Sequence, residues 1–176
     1  MKKTLVIYKS KTGFTERYAR WIAEDVEADV KPVTELDLAG LADYDIVVFG
    51  GPLFASRILD LGKVQSWMEK MPKKTWVVFA TGATPSDADF VKSIEKINFP
   101  PEMPQPARFY YFLGGMDFEK MGWFNRLLIR LFGRLSQRKG KSEEAKKATP
   151  PSRFHSFDLS DRSYIERLVK YVRIKQ

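Results

Sequence analysis

"LVIYKSKTGFTERYARWIAEDV", residues 5–26, joins two periodicities with almost nothing between them. Leu5-Val6-Ile7 is an unbroken apolar run, as in a strand covered on both faces. From Thr15 onward the apolar residues fall at Tyr18, Trp21, Ile22 and Val26, a helical spacing. The junction holds Ser10, Lys11, Thr12, Gly13, Phe14 and Thr15. A helix N-terminus presents unpaired N–H groups and a partial positive charge, which suit a phosphate. Ser10, Thr12 and Thr15 add hydroxyls, Lys11 adds a cation, and Gly13 lets backbone approach closely. Two readings of the residues stand side by side: a phosphate cradle, or a Ser/Thr helix cap with no ligand.

Other phosphate loops do not match. Residues 8–16 lack G-x-x-x-x-G-K-[ST], and Gly13 is the sole glycine where G-x-G-x-x-G would need three. Tyr8, Lys9 and Ser10 stand where a receiver domain would carry its aspartates, and a small cysteine-dependent phosphatase is excluded because the chain has no cysteine.

Outward from this junction, short apolar runs alternate with helical spacings. Strands are expected at 4–8, 28–33, 46–49, 76–79 and 109–113. Helices are expected at 15–26, 64–71, 87–97, 121–135 and 161–174. Phe99–Pro106 contains four prolines and reads as a connector. Strand and helix in alternation predict an α/β fold: a doubly wound, three-layer parallel sheet of five strands in the order 2-1-3-4-5. Such sheets bind ligands beyond the carboxyl ends of their strands. Three of those ends here are rich in small and polar residues: 10–15, 50–56 and 81–87.

The 176 residues suit one domain, 1–176, and the 44% hydrophobic content suits a globular chain. The absence of cysteine also excludes disulfides and thiolate metal sites, and His155 is the only histidine, so no metal site is expected. No apolar stretch approaches the ~20 residues of a membrane span. The first residues, MKKTLVIYKSK, carry too short an apolar run for a signal peptide, so the expected location is cytoplasmic.

The net charge of +8 has one source. Residues 120–155 hold ten basic residues against two acids, Glu143 and Glu144, and the remainder of the chain is balanced. Within that segment Met121, Trp123, Phe124, Leu127, Leu128, Leu131, Phe132 and Leu135 form an apolar stripe beside Arg126, Arg130 and Arg134. The pattern fits either an interfacial helix that meets anionic membrane through residues 120–138, or a helix packed on its own core. No nucleic acid is expected, since no recognition motif accompanies the charge. Gln137–Ser152 is polar and charged, with two prolines, and reads as mobile.

Val6 through Thr15, followed by Ala19 and Ile22, resembles the FMN-phosphate signature of the flavodoxin family. YDIVVFGGPLFASRI (44–58) and WVVFATGATPSDADF (76–90) resemble that family's third and fourth strands with their two flavin loops. The resemblance covers most of residues 1–113 and the final helix. It implies non-covalent FMN and one- or two-electron redox chemistry. Carried over, Ser10, Lys11, Thr12, Gly13, Phe14 and Thr15 would hold the phosphate. Pro52, Leu53, Phe54 and Ala55 would line one side of the ring, and Thr81, Gly82, Ala83 and Asp87 the other. The second loop offers Ala83, Thr84 and Pro85 where many relatives place an aromatic, which leaves one ring face open. The insert after the fifth strand, about 116–153, resembles that of the flavodoxin-type, menaquinone-dependent protoporphyrinogen oxidase, notably at GWFNRLLIRLFGRL (122–135). The implied function is flavin-mediated electron transfer, either by an oxidase of that type that passes electrons to quinone or by a carrier that serves a redox partner protein. No catalytic acid or base is assigned.

Overall fold

The computed structural model describes residues 2–116 and 156–176. The expected helix at 121–135, most of the insert expected at 116–153, the mobile stretch 137–152 and the basic segment 120–155 lie outside the described residues.

The apolar run at the start of the chain is β1 (Thr4–Tyr8), buried at every position. It runs straight into α1 (Phe14–Asp25). There follow β2 (Asp29–Pro32), β3 (Ile46–Phe54), β4 (Arg57–Ile58), α2 (Leu61–Lys70), β5 (Thr75–Gly82), α3 (Ala88–Asn98) and β6 (Arg108–Leu113). A short pair, β7 (Gly115–Met116) and β8 (Phe157–Asp158), precedes a 3₁₀ turn at Arg162–Ile165 and the last helix, α4 (Glu166–Lys175).

The main sheet has the order β2-β1-β3-β5-β6, and each of these pairings is parallel. Counted by its five long strands this is the expected 2-1-3-4-5. Alternation along the strands divides the core into two faces. Val6, Val48, Val77 and Phe79 pack with Tyr18, Ile22, Leu168 and Val172 of α1 and α4. Leu5, Ile7, Val47, Phe49 and Val78 pack with Leu61, Val64, Trp67 and Met68 of α2. Each face thus buries helix stripes against strand side chains, the arrangement that an apolar parallel sheet requires.

Several boundaries differ from the sequence reading, among them β5, which runs to Gly82 rather than Phe79, and α2, which starts at Leu61 rather than Val64. β3 continues to Phe54 rather than stopping at Phe49. Gly50 and Gly51 do not break it. A Cβ on Gly50 would stand 2.0 Å from the Phe79 ring, so the bare position lets β3 and β5 pack. Beyond the glycines β3 turns back on itself through β4. Finally, the last helix begins later than expected, because Arg162–Ile165 form a tighter 3₁₀ turn with Asp161 accepting from the Ser163 amide.

β7 and β8 pair antiparallel, with Met116 opposite Phe157, and the Leu159 amide donates to the Gly114 carbonyl at 3.0 Å. Met116 and Phe157, on either side of residues 117–155, therefore stand side by side. α1 braces this neck. The Tyr18 hydroxyl donates to the Leu113 carbonyl at 2.6 Å and accepts from the Asp161 amide at 3.1 Å. Arg17 pairs with Asp158 and donates to the Ser160 hydroxyl. Burial pushes the Asp158 carboxyl up, but its bonds from Ser160 and Arg17 outweigh this and hold it below its ordinary value.

Candidate functional site

The carboxyl ends of β1, β3 and β5 converge on one cavity of about 130 Å³. Its lining contains Lys11, Thr12, Phe14 and Thr15 from the first junction, Pro52, Leu53 and Phe54 from β3, and Thr81, Gly82 and Ala83 from β5 and the residue after it. These segments come together because β1, β3 and β5 are adjacent parallel strands, so their carboxyl ends lie on one edge.

The first junction organises itself locally. Gly13 has φ +96°, a left-handed conformation that an L side chain rarely adopts. Nothing lies within 4 Å of where its Cβ would be. The glycine is thus required by its backbone angle and not by crowding. The Ser10 hydroxyl accepts from the Gly13 amide at 3.0 Å, which closes the loop. Among the described residues no side chain caps α1, so its first-turn N–H groups have neither intrahelical partners nor a capping oxygen there. The Thr15 hydroxyl, buried, shares a hydrogen bond of 2.7 Å with that of Thr81, tying the first turn of α1 to the end of β5.

The wall contributed by β3 is organised from a distance. Phe54 and Arg57 face each other across a two-residue turn, Ala55-Ser56. Both turn residues have positive φ, 47° and 65°. Phe54 is 49% exposed and stands at the cavity rather than in the core. The Lys11 ammonium lies 5.8 Å from its ring centroid, a cation over an aromatic face. Behind the wall, Lys9 and Asp60 form an ion pair at 3.1 Å, linking the end of β1 to the start of α2.

The β5 wall has its own brace. The Tyr111 hydroxyl donates to the Thr84 carbonyl at 2.7 Å, and Phe90 meets the Tyr111 ring edge-on at 5.4 Å. Burial pushes the Tyr111 phenol up to about 12.

Ten of the fourteen site residues expected from sequence line this cavity. The other four are absent from the lining and have different roles. Ser10 fastens the junction, Gly13 supplies its left-handed angle, and Ala55 forms the hairpin turn. Asp87 caps α3 by accepting from the Phe90 amide at 2.8 Å. Three lining residues escape the sequence reading: Leu59, Gly114 and Gly115. Leu59 is brought in when the hairpin returns its amide to the Pro52 carbonyl, at 3.1 Å. Gly114 and Gly115 come from the neck of the insert, and only the pair of small residues after β6 could signal them.

The donor set fits a phosphorylated flavin. One end of the cavity carries the open N-terminus of α1, a lysine and a threonine hydroxyl. The other is a slot between two backbone-rich walls with one exposed aromatic. Residues 5–144, well over half of the chain, match the family described as flavodoxin domain. A flavodoxin from Maridesulfovibrio salexigens is 36% identical over 67 residues, which cover 35% of this chain and 46% of that one. The match thus spans less than half the length of that relative. Among solved structures, two-electron reduced flavodoxin from Megasphaera elsdenii superposes with a TM-score of 0.46 at 19% identity, over 62% of this chain and 85% of its own. A flavoprotein from Lactobacillus acidophilus in complex with FMN gives 0.43 at 15% identity, over 63% and 93%. The chain belongs to the flavodoxin domain family.

Proposed function

We propose that the chain is an FMN-dependent electron-transfer protein whose flavin sits in the cavity at the ends of β1, β3 and β5. The convergence of a phosphate-competent helix start with two ring-sized walls in a single cavity carries this reading. Lys11, Thr12, Gly13, Phe14 and Thr15 hold the phosphate through amides, hydroxyls and one ammonium, while Ser10 keeps the loop closed. Pro52, Leu53, Phe54 and Ala55 form one ring wall, and Thr81, Gly82 and Ala83 the other, with Asp87 capping the helix behind it. When bound, FMN supplies one- or two-electron transfer, and the protein's task is to bind, orient and tune it. Among the described residues, Lys11 is the one ionisable side chain lining the cavity, which supports a relay of electrons to a redox partner protein over acid–base chemistry on a substrate.

A second reading keeps the same flavin site but makes the chain an oxidase of the protoporphyrinogen type, passing electrons to quinone while residues 120–138 touch anionic membrane. What favours it is the neck. Gly115 belongs both to β7 and to the cavity lining, so the described chain stops, at Met116, one residue beyond the rim of the site. No helix among the described residues is long and apolar enough to cross a membrane.

The test is reconstitution with FMN, read by quenching of flavin fluorescence. Two assays then follow: reduction by a flavodoxin reductase, and oxidation of protoporphyrinogen with quinone as acceptor. Exchange with the reductase alone supports the carrier, turnover of the porphyrinogen supports the oxidase, and unquenched FMN with folded protein overturns both.

A further inference from the structure

Asn98, the last residue of α3, lies outside the cavity and is 4% exposed. Its side chain directs both amide hydrogens to backbone carbonyls. Nδ2 donates to the Ser56 carbonyl at 2.8 Å and to the Ile94 carbonyl at 2.8 Å. Oδ1 accepts from the Ile58 amide at 2.9 Å. With two carbonyls on one side and an N–H on the other, the amide has only one orientation that satisfies every group. Gln65, also buried, donates to the Asn98 carbonyl at 3.0 Å, and Arg57 donates to the Ile97 carbonyl at 3.1 Å. The end of α3 therefore grips the β3–β4 hairpin at Ser56, Arg57 and Ile58.

That hairpin needs a grip. A two-residue turn with positive φ at both central positions ordinarily uses Asn-Gly or Asp-Gly. Here it is built from Ala55 and Ser56, at φ 47° and 65°. L residues adopt such angles at a cost and keep them when surrounding structure over-determines them. The residue immediately before the turn is Phe54, half exposed at the cavity.

Resting on the FMN reading, we infer that Asn98 is the positioning residue of the ring-side wall. Its carboxamide fixes the strained turn from behind and so sets where Leu53 and Phe54 stand against the flavin. It acts directly on the ring-side wall; the Ser10–Gly13 junction is closed by its own hydrogen bond and meets that wall through the Lys11–Phe54 contact.

The experiment compares native chain, Asn98→Ala and Asn98→Asp in titrations with FMN and with riboflavin, which lacks the phosphate. Asp keeps the acceptor for Ile58 but turns the donor to Ser56 into a repulsive oxygen. Both variants are expected to bind FMN and riboflavin about tenfold more weakly, with the ratio between the two ligands unchanged, and to shift the midpoint potential of bound FMN. Adding Ala55→Gly and Ser56→Gly to Asn98→Ala should restore most of the affinity, because glycine holds positive φ without an external grip. Variants that fold and bind within twofold of the native chain, or that lose FMN affinity alone, overturn the role. In the native chain the Ile58 amide should be strongly protected from hydrogen exchange, and exchange at the rate of an open loop overturns the grip even if the variants do not fold. A native chain that fails to bind FMN overturns the flavin site itself, and this role with it.

Discussion

The two halves of the candidate site are held in opposite ways. At Ser10–Thr15 the hydrogen bond that shapes the loop spans three residues, from the Gly13 amide to the Ser10 hydroxyl. At Phe54–Ile58 the bonds that shape the turn come from residues about forty positions away, at Ile97 and Asn98. The Ser10–Gly13 turn is thus closed by its own residues, although Thr15 beside it is tied to Thr81, while the β3–β4 turn is held from a distant helix. A local device forms whenever its own segment folds. A remote one exists only once the tertiary structure is complete, so its geometry is answerable to distant substitutions.

The sharpest way to break the local device is Gly13→Asp. It forces an L residue to φ +96° and sets a carboxylate at the open N-terminus of α1. FMN affinity should fall by roughly a hundredfold or more, and riboflavin affinity much less. Fluorescence titration of both ligands checks it, and equal losses would remove the phosphate from that end of the cavity.

Next comes the bond that joins the first turn of α1 to the β5 wall. Thr15→Val leaves the buried Thr81 hydroxyl without its partner and should destabilise the apoprotein by about 1–3 kcal/mol. The Thr15→Val/Thr81→Val double variant should recover part of that loss, since both ends become apolar. Urea unfolding of the single and double variants measures it; strictly additive losses would mean that the hydroxyls do not cooperate.

The smallest effect belongs to the brace on the β5 wall. Tyr111→Phe removes the bond to Thr84 and should cost about 1 kcal/mol at neutral pH. The folded state raises this phenol from 10.0 to about 12, so it favours the protonated form. The corresponding stability is complete below pH 10 and disappears as pH rises towards 12. Because burial is what raises the phenol, the native chain should lose stability relative to Tyr111→Phe above about pH 10, and unfolding curves at about pH 9 and pH 11 that keep the same gap would deny its burial.

The same contrast explains how much of the molecule is legible in its sequence. The order of the long strands follows from Leu5-Val6-Ile7, Ile46-Val47-Val48 and Trp76-Val77-Val78, because apolar runs and helical spacings are local signals. The turn at Ser10–Gly13 is legible for the same reason, since its glycine and its closing hydroxyl are three residues apart. Gly50-Gly51-Pro52 misleads, since glycine and proline usually punctuate, and nothing in their neighbourhood tells that the Phe79 ring needs the bare backbone. Phe54 can be placed at the site from sequence, but its support cannot. Asn98 reads in sequence as an ordinary polar residue at a helix end, and Gln65 as a solvent-facing position on α2. Their burial and their targets exist only across the fold. Leu59 is hidden with them, because it reaches the cavity only through a reversal of the chain that no local signal announces.

The pairing of β7 with β8 brings Met116 and Phe157 together, so the chain on either side of residues 117–155 is closed by the fold itself. Loop closure grows only slowly with chain length, and here the two ends are already stitched together and pinned by Tyr18 and Arg17 of the helix that opens the site.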